Sequence, residues 1–306
     1  MKIGILSRNP SLFSTRRLAR AAWARGHQVR IIDTTSVAVH IGREGQPAGY
    51  LLSPGSLGLQ RPVPLPALDA IIPRIGASVT FYGLAVLRQL EAGAVVTTAA
   101  AEAIAQSRDK LHSLQLMNRA GLSIPRTAMI ARPEALYAAV HAVGGLPVVV
   151  KLIRGTQGRG VLLAHDLPTI QALLRQANAG DRQALIQEFI AEAGGRDLRV
   201  LVVGGRCVAA MERRAGAGEF RANIHLGATG VPAAIDSETE ALAVRAAAVH
   251  GLAVAGVDLI PSDRGPLLLE VNSSPGLEGI ERATGVDVAG AIIDYLERAL
   301  AERLSR

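Results

Sequence analysis

The chain has one cysteine, Cys207, in 306 residues, and so can form no internal disulfide. Lysine is almost as scarce. Of 33 basic residues only Lys2, Lys110 and Lys151 are lysines and 30 are arginines; with 26 acidic residues the formal charge is +7. Also missing is an unbroken apolar run of bilayer length: in ALAVRAAAVHGLAVAGVDLI, Arg245, His250 and Asp258 fall inside one such window. The opening MKIGILSRNPS has too short an apolar stretch before Arg8 for a secretory leader. These absences argue against a membrane partner and lead to the expectation of a cytoplasmic address. What is present is a chain that is 49% hydrophobic, long enough for two or three subdomains around well-buried cores.

The excess of arginine reads in two ways, as a compositional preference on solvated surfaces or as the mark of an acidic partner. Either way it singles out the exceptions. A lysine is a compact point charge and an arginine a planar fork, so a site shaped for one does not accept the other. Lys110 and Lys151 are therefore candidate site residues, whereas Lys2, beside the start, carries little information.

MKIGILS reads as a strand, TRRLARAAWARG as an amphipathic helix with Ser14 as its cap and Gly26 as its end, and VRIID as a second strand, which makes a βαβ unit. Residues 42–66 are rich in Gly and Pro and read as a loop or irregular hairpin. LDAIIPRIG and AGAVVTT supply further strands around a helical stretch. SRDKLHSLQLMNRAG reads as a capped helix, with Ser107 at its start, Leu111, Leu114 and Met117 on one side and Gly121 at its end.

From about residue 146 the pattern becomes strand, glycine-rich loop, strand, in LPVVVKLIRGTQGRGVLLA. Gly155, Gly158 and Gly160 satisfy neither a dinucleotide fingerprint, which lies between strand and helix, nor a P-loop, which ends in Gly-Lys-Ser/Thr. An ordinary tight turn or a hairpin whose amides fold over an anion both remain. Lys151 favours the anion, because after Val148, Val149 and Val150 a lone cation is costly without one. ALIQEFI, DLRVLVVGG and RCVAAMERR follow as strands, and EFRANIHLG as loop. Cys207 has no CxxC partner or His base and reads as buried and inert. His225 and His250 match no metal spacing.

GVDLIPSDRGPLLLEVNSSPG reads as two apolar strands around a turn, each carrying a carboxylate. A three-residue loop of Asp263, Arg264 and Gly265 sets Asp258 opposite Glu270. Alternation puts Glu270 and Asn272 on one face, with Leu267, Leu269 and Val271 on the other. Like charges placed opposite destabilise a sheet, and an all-oxygen set of Asp, Glu and Asn suits Mg²⁺ rather than zinc.

With VVVKL, GTQGRGV, LIQEFI, RDLRVLVVGG, FRANIHLG, AGVDL and LLLEVNSSPGLEGIE in view, the chain resembles the ATP-grasp ligases, specifically the RimK group, which attaches glutamate to the C-terminus of a small-subunit ribosomal protein. MKIGILSR, PRIGASVTFYG and SRDKLHSLQLMNRAG extend the resemblance over nearly the whole chain. Residues 42–66 depart from it, and Ser273 stands where relatives commonly have Ala. The resemblance implies an α/β chain with an ATP-grasp fold preceded by a parallel α/β pre-ATP-grasp domain. The expected divisions are 1–103 for the N-terminal domain, 104–190 for a first lobe with the lid loop, and 191–306 for a C-terminal lobe with the metal site.

It implies ATP and two Mg²⁺ ions, with Mn²⁺ as an alternative, and L-glutamate and a ribosomal-protein C-terminus or acidic peptide as partners. No direct nucleic-acid contact is expected; a homo-oligomer stays open. Lys110 and Lys151 would contact phosphates, and the backbone and side chains around Glu188 and Phe189 would hold adenine. Asp197 would bind the ribose side. Arg221 and Asn223, with the Ala222 backbone, would meet the phosphates or the acyl phosphate, Arg221 and Lys151 being catalytic. Asp258, Glu270 and Asn272 would hold the metals. A growing glutamate tail would be drawn to a +7 protein, and Arg74, Arg213 and Arg214 are candidates for gripping its carboxylates unless they pair with acids of the chain. The alternatives are a ligase with a small-molecule acceptor and a non-catalytic ATP-binding protein on the ribosome.

Overall fold

The computed structural model describes residues 1–42, 49–51, 63–93, 95–152, 160–179, 183–216, 219–222 and 227–305. The chain opens with the βαβ unit: β1 (Lys2–Leu6), α1 (Phe13–Ala24) and β2 (Gln28–Ile32), the two strands paired in parallel. Ile3, Ile5 and Leu6 are wholly buried and Gly26 (φ 75°) closes the turn after α1. Ser14 does not cap α1. Leu12 occupies the cap position, and the Ser14 hydroxyl accepts from the Leu277 amide (3.0 Å), tying this helix to the far end of the chain.

Strands β3 (Val37–Val39), β4 (Gly49–Leu51) and β5 (Val63–Pro64) form a small antiparallel sheet where the composition suggests a loop or irregular hairpin; residues 43–48 and 52–62 lie outside the described residues. Then come β6 (Ala70–Pro73), α2 (Thr80–Glu91), β7 (Val96–Thr97) and α3 (Ala101–Arg108). The N-terminal sheet is parallel in the order β2-β1-β6-β7. The chain leaves β1 toward one edge and β6 toward the other, so the strand order reverses between them.

Helix α4 (Lys110–Arg119) is capped by Asp109, which accepts from the His112 amide (3.0 Å), so the predicted single helix from Ser107 is broken at that aspartate. Next come β8 (Thr127–Met129), α5 (Leu136–Ala142), β9 (Val148–Leu152), β10 (Val161–Ala164), α6 (Leu167–Ala179) and β11 (Ala184–Glu188). They build an antiparallel sheet, β10-β9-β11-β8, over a core that includes Val148, Val150, Ile170 and Ile186.

The last lobe holds β12 (Arg196–Val203), β13 (Arg206–Arg214), β14 (Thr229–Pro232), α7 (Ser237–Val249), β15 (Val254–Ile260), β16 (Leu267–Asn272), α8 (Glu278–Thr284) and α9 (Val288–Leu304). Its sheet runs β14-β13-β12-β15-β16. One core joins this lobe to the start of the chain: Ile3, Ile5 and Leu18 pack with Leu201, Ile292 and Leu296. Each such side chain contributes about 1.5–3 kcal/mol by burial. Arg17 to Glu281 (3.0 Å) and Asp287 (2.6 Å), and His27 to Glu297 (2.7 Å), lie over the same seam. No helix among the described residues is long and apolar enough to cross a membrane.

Candidate active site

A cleft of about 1130 Å³ runs between the β8–β11 sheet, the β12–β16 sheet and the edge of the N-terminal domain. Its floor is β15 and β16. Asp258 faces Glu270 across the ladder, as alternation predicts, and Gly256 faces Asn272. The connection is longer than the three residues expected: the strands stop at Ile260 and resume at Leu267, with Gly265 left-handed (φ 89°). A bulge directly after Asp258 keeps the carboxylates opposed. It also puts Leu268 in the core and turns Leu269 to the cleft, reversing the predicted face of that leucine.

Asp258 is buried and held on both oxygens. Arg199 donates Nε to Oδ1 and Nη2 to Oδ2 (2.6 Å each), and Arg213 Nη2 lies 3.0 Å from Oδ2. Arg213 also grips Asp197 through Nε (2.6 Å) and Nη2 (2.7 Å). Strand register builds this chain of charges, because Asp197 is opposite Arg213 and Arg199 is opposite Asp258. Burial alone would raise the Asp258 carboxyl; Arg199 and Arg213 outweigh it and hold the group at about 2. Burial pulls Arg213 down, yet its two carboxylates carry it well above the ordinary arginine range. Arg213 is thus committed inside the floor and does not grip a substrate, and Arg214 pairs with Glu212.

Glu270 is exposed to the cleft, and Asn272 Nδ2 donates to its Oε1 (3.1 Å) and to the Gly256 carbonyl (3.3 Å). Both candidate lysines come to the same place. Lys151, next to last in β9 and opposite Val161 and Leu185, and Lys110, at the start of α4, line the cleft with Glu270. Lys110 Nζ donates to the Leu152 carbonyl (2.9 Å). Burial pushes Lys151 down to about 8, against the pull of Glu270 and Asp258 and with a further push from Lys110. Lys110 is lowered by burial, with Glu270 opposing.

At the other end, Phe189 meets Phe220 edge-on (centroids 6.2 Å apart), and the Arg221 guanidinium lies 5.8 Å over the Phe220 ring. Glu219 fixes Arg221 (Nη2 to Oε2, 2.7 Å), a bond that holds the Glu219 carboxyl at about 2. The Glu188 carboxylate accepts from the Arg126 amide (2.9 Å), Arg126 Nε (2.7 Å) and Arg264 Nη2 (2.5 Å). The Glu188 side chain is thus committed to two arginines of the chain. Asp197 and Ala222 also line the cleft. Asn223, Gly155, Gly158 and His225 lie outside the described residues.

His250 is structural, bonded to Ser113 Oγ and the Ala246 carbonyl (2.8 Å each). Cys207 is half-buried rather than buried, and burial pushes its thiol up to about 11. Arg199 was missed by sequence reasoning. Its signal was the Asp-x-Arg spacing in RDLRV, which puts Asp197 and Arg199 on one face of a strand.

The donor set fits a hard cation. A carboxylate offers about four lone-pair sites, and the arginines occupy three on Asp258, which leaves one on Oδ1. Glu270 and Asn272 add carboxylate and amide oxygens, and among the described residues no His or Cys joins them, which fits Mg²⁺.

The family model for the RimK-like ATP-grasp domain matches residues 107–296, and that for the RimK PreATP-grasp domain matches residues 1–104. The chain belongs to the RimK-like ATP-grasp family. Its relatives include two proteins each named probable alpha-L-glutamate ligase. The one from Aliivibrio fischeri is 47% identical over 306 residues, covering 100% of this chain and 98% of the relative. The one from Syntrophotalea carbinolica is 49% identical over 298 residues, 97% and 96% of the two chains. Among solved structures, the ATP-grasp ligase PsnB complexed with its minimal precursor matches at TM-score 0.74 with 22% identity, 98% of each chain covered. The macrocyclase MdnC of Microcystis aeruginosa bound with its precursor peptide matches at 0.73 with 16% identity, covering 97% of this chain and 100% of the other. The fold is thus ATP-grasp with an N-terminal pre-ATP-grasp domain, and the protein is an ATP-dependent ligase.

Proposed function

We propose that this enzyme joins the amine of L-glutamate to the C-terminal carboxylate of a small-subunit ribosomal protein or similar acidic peptide, through an acyl phosphate. The observation that carries the reading is the meeting of Lys110 and Lys151 with the Asp258, Glu270 and Asn272 set in one cleft. The names of the relatives at 47–49% identity support glutamate. The peptide-bound neighbours support a peptide acceptor.

A carboxylate is a poor acylating agent. In the first step its oxygen attacks the γ-phosphorus of ATP, the bond to the β,γ-bridging oxygen breaks and ADP leaves. In the second the glutamate nitrogen attacks the acyl carbon, the carbon–oxygen bond to phosphate breaks, phosphate leaves and the amine gives up a proton. Lys110 and Lys151 neutralise the triphosphate oxygens, and Arg221, steadied by Glu219, faces the transferring group. Phe189 and the adjoining backbone bound the adenine, and Asp197 sits toward the ribose. Glu270, Asn272 and the remaining lone pair of Asp258 would hold Mg²⁺, which supplies charge neutralisation on the phosphates. Exclusion of water protects the acyl phosphate.

Incubation with ATP, Mg²⁺, L-glutamate and a peptide ending in glutamate, followed by mass spectrometry, should show added glutamyl residues with ADP formed in step. ADP release with no mass gain on any peptide, but with condensation of free glutamate, would replace the peptide acceptor by a small molecule.

A further inference from the structure

In open parallel α/β sheets, ligands bind outside the carboxyl ends of the strands where the strand order reverses. Here that point lies between β1 and β6. Three arginines collect around it: Arg8 in the loop after β1, Arg74 directly after β6, and Arg108 at the end of α3. Among the described residues their side-chain partners are neutral. Arg8 Nη2 donates to Ser78 Oγ (3.0 Å), Arg74 Nη1 to the Pro275 carbonyl (2.8 Å), and Arg108 to Thr80 Oγ1 (2.5 Å) and the Ile75 carbonyl. Among the described residues none of the three forms an ion pair. Burial, and after it the neighbouring Arg108, push Arg74 down to about 10.

The corner opens on the ligase cleft. Ser78, Thr80 and Arg108 line the cavity that holds Lys151 and Glu270. Arg74 reaches the turn that follows Asn272, and Ser274 Oγ donates back to the Pro73 carbonyl (3.1 Å). Arg8 and Arg74 belong to the N-terminal domain and Arg108 to the start of the ATP-grasp domain, whereas on the reading above the triphosphate already has Lys110 and Lys151. Guanidinium forks match carboxylates in pairs.

Resting on the ligase reading above, we propose that Arg8, Arg74 and Arg108 hold the carboxylates of the glutamyl substrate, whether the incoming amino acid or the terminal residue of the acceptor. Selection for an acidic side chain then resides at the seam between the pre-ATP-grasp and ATP-grasp domains.

The test is equilibrium binding of radiolabelled L-glutamate, L-glutamine and a peptide ending in glutamate to protein loaded with Mg²⁺ and a non-hydrolysable ATP analogue. Wild type should prefer glutamate to glutamine. Arg8→Gln, at an exposed position with a single side-chain bond, and Arg108→Gln should each weaken a glutamyl ligand by about tenfold and narrow that preference. The analogue's Kd should stay within about twofold, and Arg8→Lys should recover part of the loss. Weakening confined to free glutamate assigns the corner to the amine substrate, and weakening confined to the peptide assigns it to the acceptor. Unchanged glutamyl affinity in both Gln variants, or a wild type that binds neither ligand, overturns the proposal. Protein that binds glutamate through the corner but forms no glutamyl bond overturns the ligase reading instead and leaves the corner standing.

Discussion

Arg213 is buried and Arg74 half-buried in one molecule, and they have opposite surroundings. In the floor, Arg213 is sandwiched between Asp197 and Asp258, and its charge is more than matched. In the corner, Arg74 has a carbonyl and another arginine for company. Strand register answers charge with charge in the floor, where the fold alone fixes the geometry. Among the described residues no carboxylate answers the corner. A charge drawn out of water without a partner costs several kcal/mol until one arrives, which is why the corner rather than the floor is proposed as the ligand's place.

The sharpest break between the two kinds of site should come from the two opposed carboxylates. Glu270→Gln deletes an exposed charge that forms no ion pair among the described residues, so turnover should fall by about 100-fold or more with the melting temperature unchanged. Asp258→Asn should lose comparable activity and also stability, since Arg199 loses its counter-ion and Arg213 keeps only Asp197. Steady-state rates set beside thermal melts separate the two. Full activity in either variant would remove the metal site.

Arg213→Ala comes next. Asp197 remains buried without its cation while Asp258 keeps only Arg199, and the expected loss is about 3–5 kcal/mol in urea unfolding. Were Arg213 a substrate grip, the peptide KM would rise while stability held.

Lys151 tests the border between the regions, being partly answered by Glu270 and Asp258. Lys151→Arg keeps the charge but not the shape, and ATP use should fall by about tenfold or more. The wild type should also show a pH signature. With its folded pKa lowered from 10.5 to about 8, the lysine is charged below that point and neutral above it, so kcat/KM for ATP falls as pH rises through about 8. Stability of the nucleotide-free protein moves the other way. Between about 8 and 10.5 the unfolded chain binds the proton and the folded chain does not, so this lysine's destabilising effect, full at pH 7, fades as pH rises. Lys151→Arg should flatten both profiles.

Much of the floor was legible beforehand because strand alternation is a strict rule. Asp258 opposite Glu270 follows from two short apolar runs and a turn, and the scarcity of lysine pointed to Lys110 and Lys151. The loop length and the bulge were not legible, since alternation fixes which residues share a face only while the ladder is regular, and Leu268 and Leu269 exchanged places at its one irregularity. Helix starts went wrong where two capping residues competed. Ser107 and Asp109 both suit an N-cap, and Asp109 takes the role because the chain breaks between α3 and α4. The sequence reading passed over α6, although Asp166 accepts from the Thr169 amide at its start, and over β14, a short strand ending in Pro232 with no alternation to betray it. The corner was least legible of all. Arg8, Arg74 and Arg108 are far apart in sequence and meet only because the parallel sheet brings the ends of β1 and β6 together.

The smallest expected effect is the most direct test of the contrast itself, and it needs no mutation. Screening acts on charges that water and salt reach: the Debye length is about 10 Å at 0.1 M and about 3 Å at 1 M. Arg8 is exposed, while Asp258 and Arg213 are buried. Salt should therefore raise the KM for a peptide ending in glutamate by about two- to fivefold and leave the floor's contribution to stability nearly unchanged. If glutamates are added in succession, each one makes the tail more acidic and more attractive to a +7 protein, so the same salt should shorten the tails seen by mass spectrometry. Arg8→Gln should reduce both salt responses, having lost the exposed charge that salt reaches first. Tail length and peptide KM that ignore salt would mean that the arginine excess is composition alone, and that the corner, if it binds carboxylates, does so from positions as shielded as the floor.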